Sequence, residues 1–358
     1  MSVIELPSTR EEAWRWADPD AIATAAALPR AAVSLDVAGH WLDLPGARIV
    51  VRDGVIDTAA SDLHRVELRS VEAGEHALGA RATGAGWALH LAEDAAAHPV
   101  QIIHVSTGGA NHLPSEIVLA DDAAAQVIET YIGAGWANRY LRVTLGKAAR
   151  LMRSVRLVQD GGFVSLREDA ALGTGASLVT IFLGAGAAGT RIDATIVAGE
   201  GAFADYGGAL LTAGEQKQEC AVTVRHAQPN GSSQQVWRAV AADRSTASLA
   251  ARVEVARHAQ KTDGVQSLRG LLLKRTATVN LKPELEIFAD DVKCAHGATV
   301  GELDARALFY MESRGIPKSR AQALLTTAFV ADALDRIGDE TVRDAFSADA
   351  EAWLGQAL

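Results

Sequence analysis

The residues best suited to chemistry stand two apart near the end of the chain. They are Cys294 and His296, in the run PELEIFADDVKCAHGATVGELDARALFYMESRGI from Pro283 to Ile316. A thiol and an imidazole are both competent metal ligands. The residues ahead of them alternate as a strand does. In an extended segment side chains two positions apart share a face, so the pair projects together while Ala295 points away. Thr299 and Glu302 then have capping-box spacing, and Leu303, Ala307, Tyr310 and Met311 recur at helical intervals up to Gly315. The sequence therefore predicts that the pair sits at a strand-to-helix junction.

Other constellations are weaker. Gly184, Gly186 and Gly189 spell GxGxxG after the strand-like SLVTIFL, with Asp205 following at the distance a dinucleotide fingerprint wants. Those glycines should open a helix, yet RIDATIVAG, another strand, comes next, which disfavours an oxidoreductase. Gly146-Lys147 lacks the earlier glycine and the following Ser or Thr of a phosphate-binding loop, so ATP hydrolysis would have to come from a partner. His104, His112, His226 and His258 stand alone in strand or loop contexts and read as structural, as does Cys220 in an alternating strand. An enzyme acting on carbohydrate or acyl groups from a β-solenoid is the alternative function, but the clustered acids, Arg or catalytic His it needs do not stand out.

The elements that must position the pair are mostly strands. From Pro99 onward, for nearly two hundred positions, short apolar or alternating runs such as VQIIHV, RLMRSVRLV, SLVTIFLG and CAVTVRH end in Gly, Asp or Asn, with no amphipathic helix between them. Strands without crossover helices exclude a doubly wound sheet and leave a sandwich, a barrel or a β-solenoid. No strict short repeat is present, so a solenoid would have to be irregular. Ahead of this region, Ser8 or Thr9 can cap a helix whose first turn holds Glu11 and Glu12, with Trp14 and Trp16 as packing residues. Behind it, Pro317 opens a helix continuing towards Gly338, and a short terminal helix is expected near Ala348 to Leu354. The plain reading of these last helices is a cap over the open end of the β core.

The 358 residues carry a net charge of -10, with 49% hydrophobic and 22% charged residues, a globular composition. That balance argues against a nucleic-acid backbone as partner. The N-terminus has neither the basic region nor the apolar core of a secretory leader, and no run suits a bilayer span, so a cytoplasmic protein is expected. Two cysteines, Cys220 and Cys294, do not support a disulfide framework.

The run from Ala289 to Gly301, ADDVKCAHGATVG, resembles the signature of the SufB/SufD family of iron-sulfur cluster assembly proteins, and its Cys-Ala-His-Gly-Ala-Thr form is closer to the SufD branch. The opening LP..REE.WRW is similar to that branch too, as are His226, Ser233, Gln235, Ala259 to Thr262, Gln266 and Leu271 to Leu273. Leu249, Ala251, Arg269-Gly270 and Lys274-Arg275 depart from the pattern. The resemblance implies a mainly β fold, a right-handed parallel β-helix core with N-terminal mixed and helical and C-terminal helical segments. We divide the chain accordingly into an N-terminal region (1–95), a core (96–298) and a C-terminal helical region (299–358). It further implies a scaffold without catalytic turnover, pairing with SufB and docking the ATPase SufC through the C-terminal helices, with homodimerisation possible when alone. A transient iron-sulfur cluster would be shared with the partner, His296 being the preferred ligand and Cys294 the second. Such clusters are normally held by four ligands, so the remainder must be borrowed.

Overall fold

Runs such as RLMRSVRL and SLVTIFLG are rich in β-branched and large apolar residues, which favour a pleated, buried surface. With no crossover helices available they pair with the next run of the same kind, parallel and in register. In the computed structural model, which describes residues 6–31 and 35–357, Arg150, Ser177, Phe203, Ser232, Asp263 and Lys293 are successive rungs of one ladder. The chain thus winds as a parallel β-solenoid of about 8 turns, as the family resemblance implied.

Each coil contributes to two sheets. The first contains Arg48–Arg52, Val100–Ser106, the start of Ala124–Leu145, Arg150–Leu157, Ser177–Gly184, Phe203–Thr212, Ser232–Ala241, Asp263–Leu272 and Lys293–Glu302. The second contains Gly84–Leu91, Ala110–Leu119, the end of Ala124–Leu145, Gly161–Leu172, Gly189–Ala198, Lys217–His226, Thr246–Val255 and Thr278–Ile287. Val66–Val71 runs antiparallel against Gly84–Leu91 at one end of the second sheet. The parallel ladders begin at Arg48 and Trp87, ahead of residue 96, and run past 298 to Glu302.

Alternate residues face the lumen, which is filled by Leu151, Val155, Leu178, Phe182, Tyr206, Trp237 and their neighbours. Within this apolar column lies a buried ionic network. Arg153 Nε donates to Glu129 Oε1 at 2.7 Å and its terminal nitrogen to Glu168 Oε2 at 2.9 Å. Tyr131 Oη donates to Glu129 and Tyr206 Oη to Glu168. Arg139 Nε donates to His104 Nδ1 at 3.1 Å, so the proton of a neutral His104 sits on Nε2, 3.1 Å from Glu129. Burial first, and the nearby arginines as well, hold His104 down to about 4, while Arg153 and His104 keep Glu129 well below the usual carboxylate range against that same burial.

The outer faces are covered unequally. Three helices follow the last strand: α2 (Ala305–Ser313), α3 (Lys318–Leu334) and α4 (Glu340–Ala357), with α1 (Pro19–Ala26) near the N-terminus. Val330, Leu334, Phe346 and Trp353 pack on the outward row Ile181, Leu183, Ala209, Leu211 and Val240 of the first sheet. Arg156 and Asp349 (2.7 Å) and Arg238 and Asp332 (3.0 Å) clamp them there. The C-terminal helices therefore flank the solenoid and do not cap its open end, because the side of the first sheet offers the longer apolar row. The last helix is also far longer than the short segment expected around Ala348 to Leu354.

At the other end of the chain, the helix expected from Ser8 or Thr9 is only a turn, Glu12–Trp14. The residue before a proline is biased out of the helical region, so α1 starts afresh at Pro19 with Asp18 Oδ1 accepting from Ala21 N at 3.0 Å. The turn serves to seat Trp14 under the buried Arg191 guanidinium, 4.2 Å from the ring centre. Among the described residues no helix is long and apolar enough to cross a membrane.

Removing one member of a buried ionic group strands the others without solvent. Arg153→Met should cost about 3–5 kcal/mol, read as a lower urea midpoint at neutral pH.

Candidate functional site

Cys294 and His296 lie on Lys293–Glu302, the last strand of the first sheet. This strand pairs with Asp263–Leu272 on one side, placing Cys294 opposite Gly264 and His296 opposite Gln266. Gln266 is 2% exposed and Leu268 fully buried, whereas Val265 is exposed. The even-numbered positions of that strand therefore face the lumen, and in-register partners share their face. The shared face of Cys294 and His296 expected from alternation is thus the lumenal one, at the end where the lumen opens.

The expected capping box is not formed. Pairing with Asp263–Leu272 extends the strand through Thr299 and Glu302, and α2 begins only after Asp304, whose carboxylate accepts from Arg306 N at 2.8 Å. A tertiary ladder overrides the local helix-start pattern, and the pair sits within the first four residues of a ten-residue strand. The helix stop at Gly315 does hold, with that residue at φ 86°.

The two side chains differ in surroundings. Cys294 is half-buried against Val253, Val255, Ala259 and Ala289, and its thiol is pushed up by burial, against a hydrogen bond from the backbone of Gly264. A Cβ at Gly264 would stand 3.4 Å from Cys294 Sγ and 3.6 Å from Ser233 Oγ. The bare glycine thus leaves thiol and hydroxyl facing a common space. Ser233 is held in turn by His226, Nε2 to Oγ at 2.8 Å, both buried. His296 is exposed on the terminal strand. Thr278–Ile287, the last strand of the second sheet, brings the lumen row Val279, Leu281, Pro283 and Leu285 beside it, all only partly covered. No strand among the described residues pairs with the outer edge of either of these last strands.

Among the described residues no group of three or more His, Cys, Asp or Glu is placed to hold a metal ion. The pair therefore stands as one thiol and one imidazole at an open edge.

The remaining candidates resolve as structural. GxGxxG at Gly184 to Gly189 is the turn between Ser177–Gly184 and Gly189–Ala198, so it opens a strand. Cys220 is buried in the lumen core, and loss of solvent pushes its thiol well above the usual thiol range, which leaves it inert. A cleft of about 410 Å³ lies between the N-terminal segment and the second sheet. Several of its charges are paired with one another: Arg167 with Asp193 at 2.6 Å, Asp193 with His76 at 3.3 Å, and Lys282 with Glu12 at 2.6 Å. Sequence reasoning did not single out the Glu129, Arg153 and Glu168 network. Its trace is visible, since Arg153 stands midway between Leu151 and Val155 on their apolar face.

One family model and three relatives bear on identity. A family model described as "SUF system FeS cluster assembly, SufBD core domain" matches residues 102–329. The chain is 30% identical over 264 residues to the iron-sulfur cluster assembly protein SufD of Escherichia coli (strain K12), covering 69% of this chain and 61% of that protein. It is 38% identical over 127 residues to an iron-sulfur cluster assembly SufBD family protein of Synechocystis, covering 36% of this chain and 28% of that one. SufD of Bacillus subtilis is 28% identical over 145 residues, 40% of this chain and 33% of its own length. The chain thus matches less than two thirds of the length of each of these relatives.

His226 supplies a pH test of the packing beneath Cys294. Burial lowers it from 6.5 to about 4, so the fold requires the neutral ring. Its contribution is whole above the unfolded value of 6.5 and is lost as pH falls towards 4, amounting to about 3 kcal/mol. Denaturant titrations at pH 7, 5.5 and 4.5 should show that loss, and His226→Gln should reduce it.

Proposed function

The chain belongs to the SufB/SufD family of iron-sulfur cluster assembly proteins, and from that premise we propose that it is a scaffold subunit that holds one part of a nascent cluster at an interface with a second subunit. The observation that carries this reading is the placement of Cys294 and His296 on the terminal coil, whose outer edge is unpaired, facing an open lumen with no group of three metal-competent side chains among the described residues. In this reading the second subunit is SufB, which docks on the exposed edges of Thr278–Ile287 and Lys293–Glu302. Exposed strand edges offer unpaired backbone donors and acceptors that another chain can satisfy.

The division of ligands has a mechanistic consequence. A cluster is a substrate here, to be built and handed on. A coordination sphere split between chains falls apart when the chains shift, whereas a complete cage in one chain would keep its cargo. His296 is the preferred ligand because it is exposed at the edge and a neutral imidazole coordinates without losing a proton. Cys294 is the second donor, and its raised thiol would have to ionise, which an approaching cation favours.

The driving motion comes, in this reading, from the ATPase SufC bound at the C-terminal helices. Supporting it, α2 has no buried residue, and Phe309 and Tyr310 on this helix, which follows the terminal strand in the chain, are 74% and 58% exposed. A large exposed aromatic pair is the kind of anchor protein interfaces use. The chain itself performs no turnover and works in the cytoplasm.

His296→Ala removes an exposed side chain and should leave folding and association with SufB and SufC intact. The visible absorption of clusters built on the co-purified complex should drop at least about tenfold. An undiminished cluster yield would remove His296 from the ligand set.

A further inference from the structure

Gln235, Gln266 and His296 form one lumen-facing column. Gln235 is in register with Gln266, and Gln266 with His296. Successive members of such a column are one strand spacing apart, about 4.8 Å. Both glutamines are buried, at 0% and 2% exposure. Both spend their amide nitrogen alike, on a carbonyl of the second sheet: Gln235 Nε2 donates to Arg252 O at 3.0 Å and Gln266 Nε2 to Glu284 O at 3.3 Å. In both, Oε1 is buried and finds no partner among the described residues. At the third rung the column changes chemistry from amide to imidazole.

A neutral imidazole carries one N–H and one lone pair, and only the lone pair can bind a metal. A ligand histidine therefore works best when its other nitrogen is held by a hydrogen-bond acceptor. Gln266 offers the buried acceptor nearest in register. Because its amide nitrogen is committed to Glu284 O, the oxygen is the end left for the ring. We propose that Gln266 is a positioning residue for His296: a turn of the exposed ring brings its N–H to the unused Gln266 Oε1, which accepts it and leaves the unprotonated nitrogen directed out of the open end of the lumen. This rests on the reading of His296 as a ligand, but the hydrogen bond can be tested apart from it.

The experiment uses the full chain labelled with nitrogen-15 at histidine, and Co²⁺ as the metal probe. In the wild type the His296 ring nitrogens should report a single dominant tautomer. Gln266→Met, which keeps length but removes the acceptor, should give mixed tautomers and weaken Co²⁺ binding about tenfold. Gln266→Glu, which keeps an acceptor, should restore both. Gln235→Met disturbs the same column one coil deeper and should leave both unchanged, which separates positioning from general loosening of the lumen. Unaltered tautomers in Gln266→Met, or an equal effect from Gln235→Met, overturns the proposal. If the wild type binds no Co²⁺, the ligand reading fails, and the nitrogen shifts alone decide whether Gln266 holds the ring.

Discussion

Each interior strand of a parallel solenoid has its backbone hydrogen bonds met by the coil before it and the coil after it, and it cannot meet them alone. Lys293–Glu302 has the preceding coil at Asp263–Leu272 and, among the described residues, no following one. The same holds for Thr278–Ile287, which has Thr246–Val255 behind it. The end of the stack therefore combines two deficits in one place. Backbone groups are left open along two ten-residue edges, and side chains that would be enclosed in an inner coil are exposed. Cys294 and His296 stand where both occur.

The rest of the fold keeps this end presentable. The lumen is packed with apolar and aromatic side chains and stiffened by the buried Glu129, Arg153 and Glu168 group, in which Arg153 pairs with both carboxylates within the column. The sides are covered, by the Trp14 and Arg191 contact on one sheet and by α3 and α4 on the other. Covering the sheet faces while leaving the end bare confines edge-to-edge strand pairing to that end of the solenoid. Pro283, placed in one of the bare edge strands, removes a backbone donor there, which limits indiscriminate pairing of that edge.

Much of this was legible in the chain because it depends on short-range alternation. The shared face of Cys294 and His296 follows from a two-residue period, and the run of strands without helices between them excludes a doubly wound sheet. What was not legible depends on distant partners. Thr299 and Glu302 look like a helix start until the ladder to Asp263–Leu272 claims them. Nothing local says that Val342, Phe346, Ala350 and Trp353 lie on one face of an 18-residue helix, since small and acidic residues between them blur the stripe. Arg153 stands out locally only as a charge on an apolar face, and its role depends on Tyr131, Tyr206 and His104, three distant groups that converge on its two carboxylates.

The column through Gln235 and Gln266 joins these two kinds of information. Local sequence places a polar residue on a lumenal face three times, in strands otherwise filled inward by Ser233 and Trp237, by Gly264 and Leu268, and by Cys294 and Ala298. Burying a polar side chain costs stability unless it is hydrogen-bonded. In the two inner coils that cost is partly offset by a carbonyl of the second sheet. Among the described residues no further coil supplies the corresponding carbonyl to His296. An imidazole is the side chain that gains from that omission, because a ring with one nitrogen held from behind can offer the other to a ligand brought from outside.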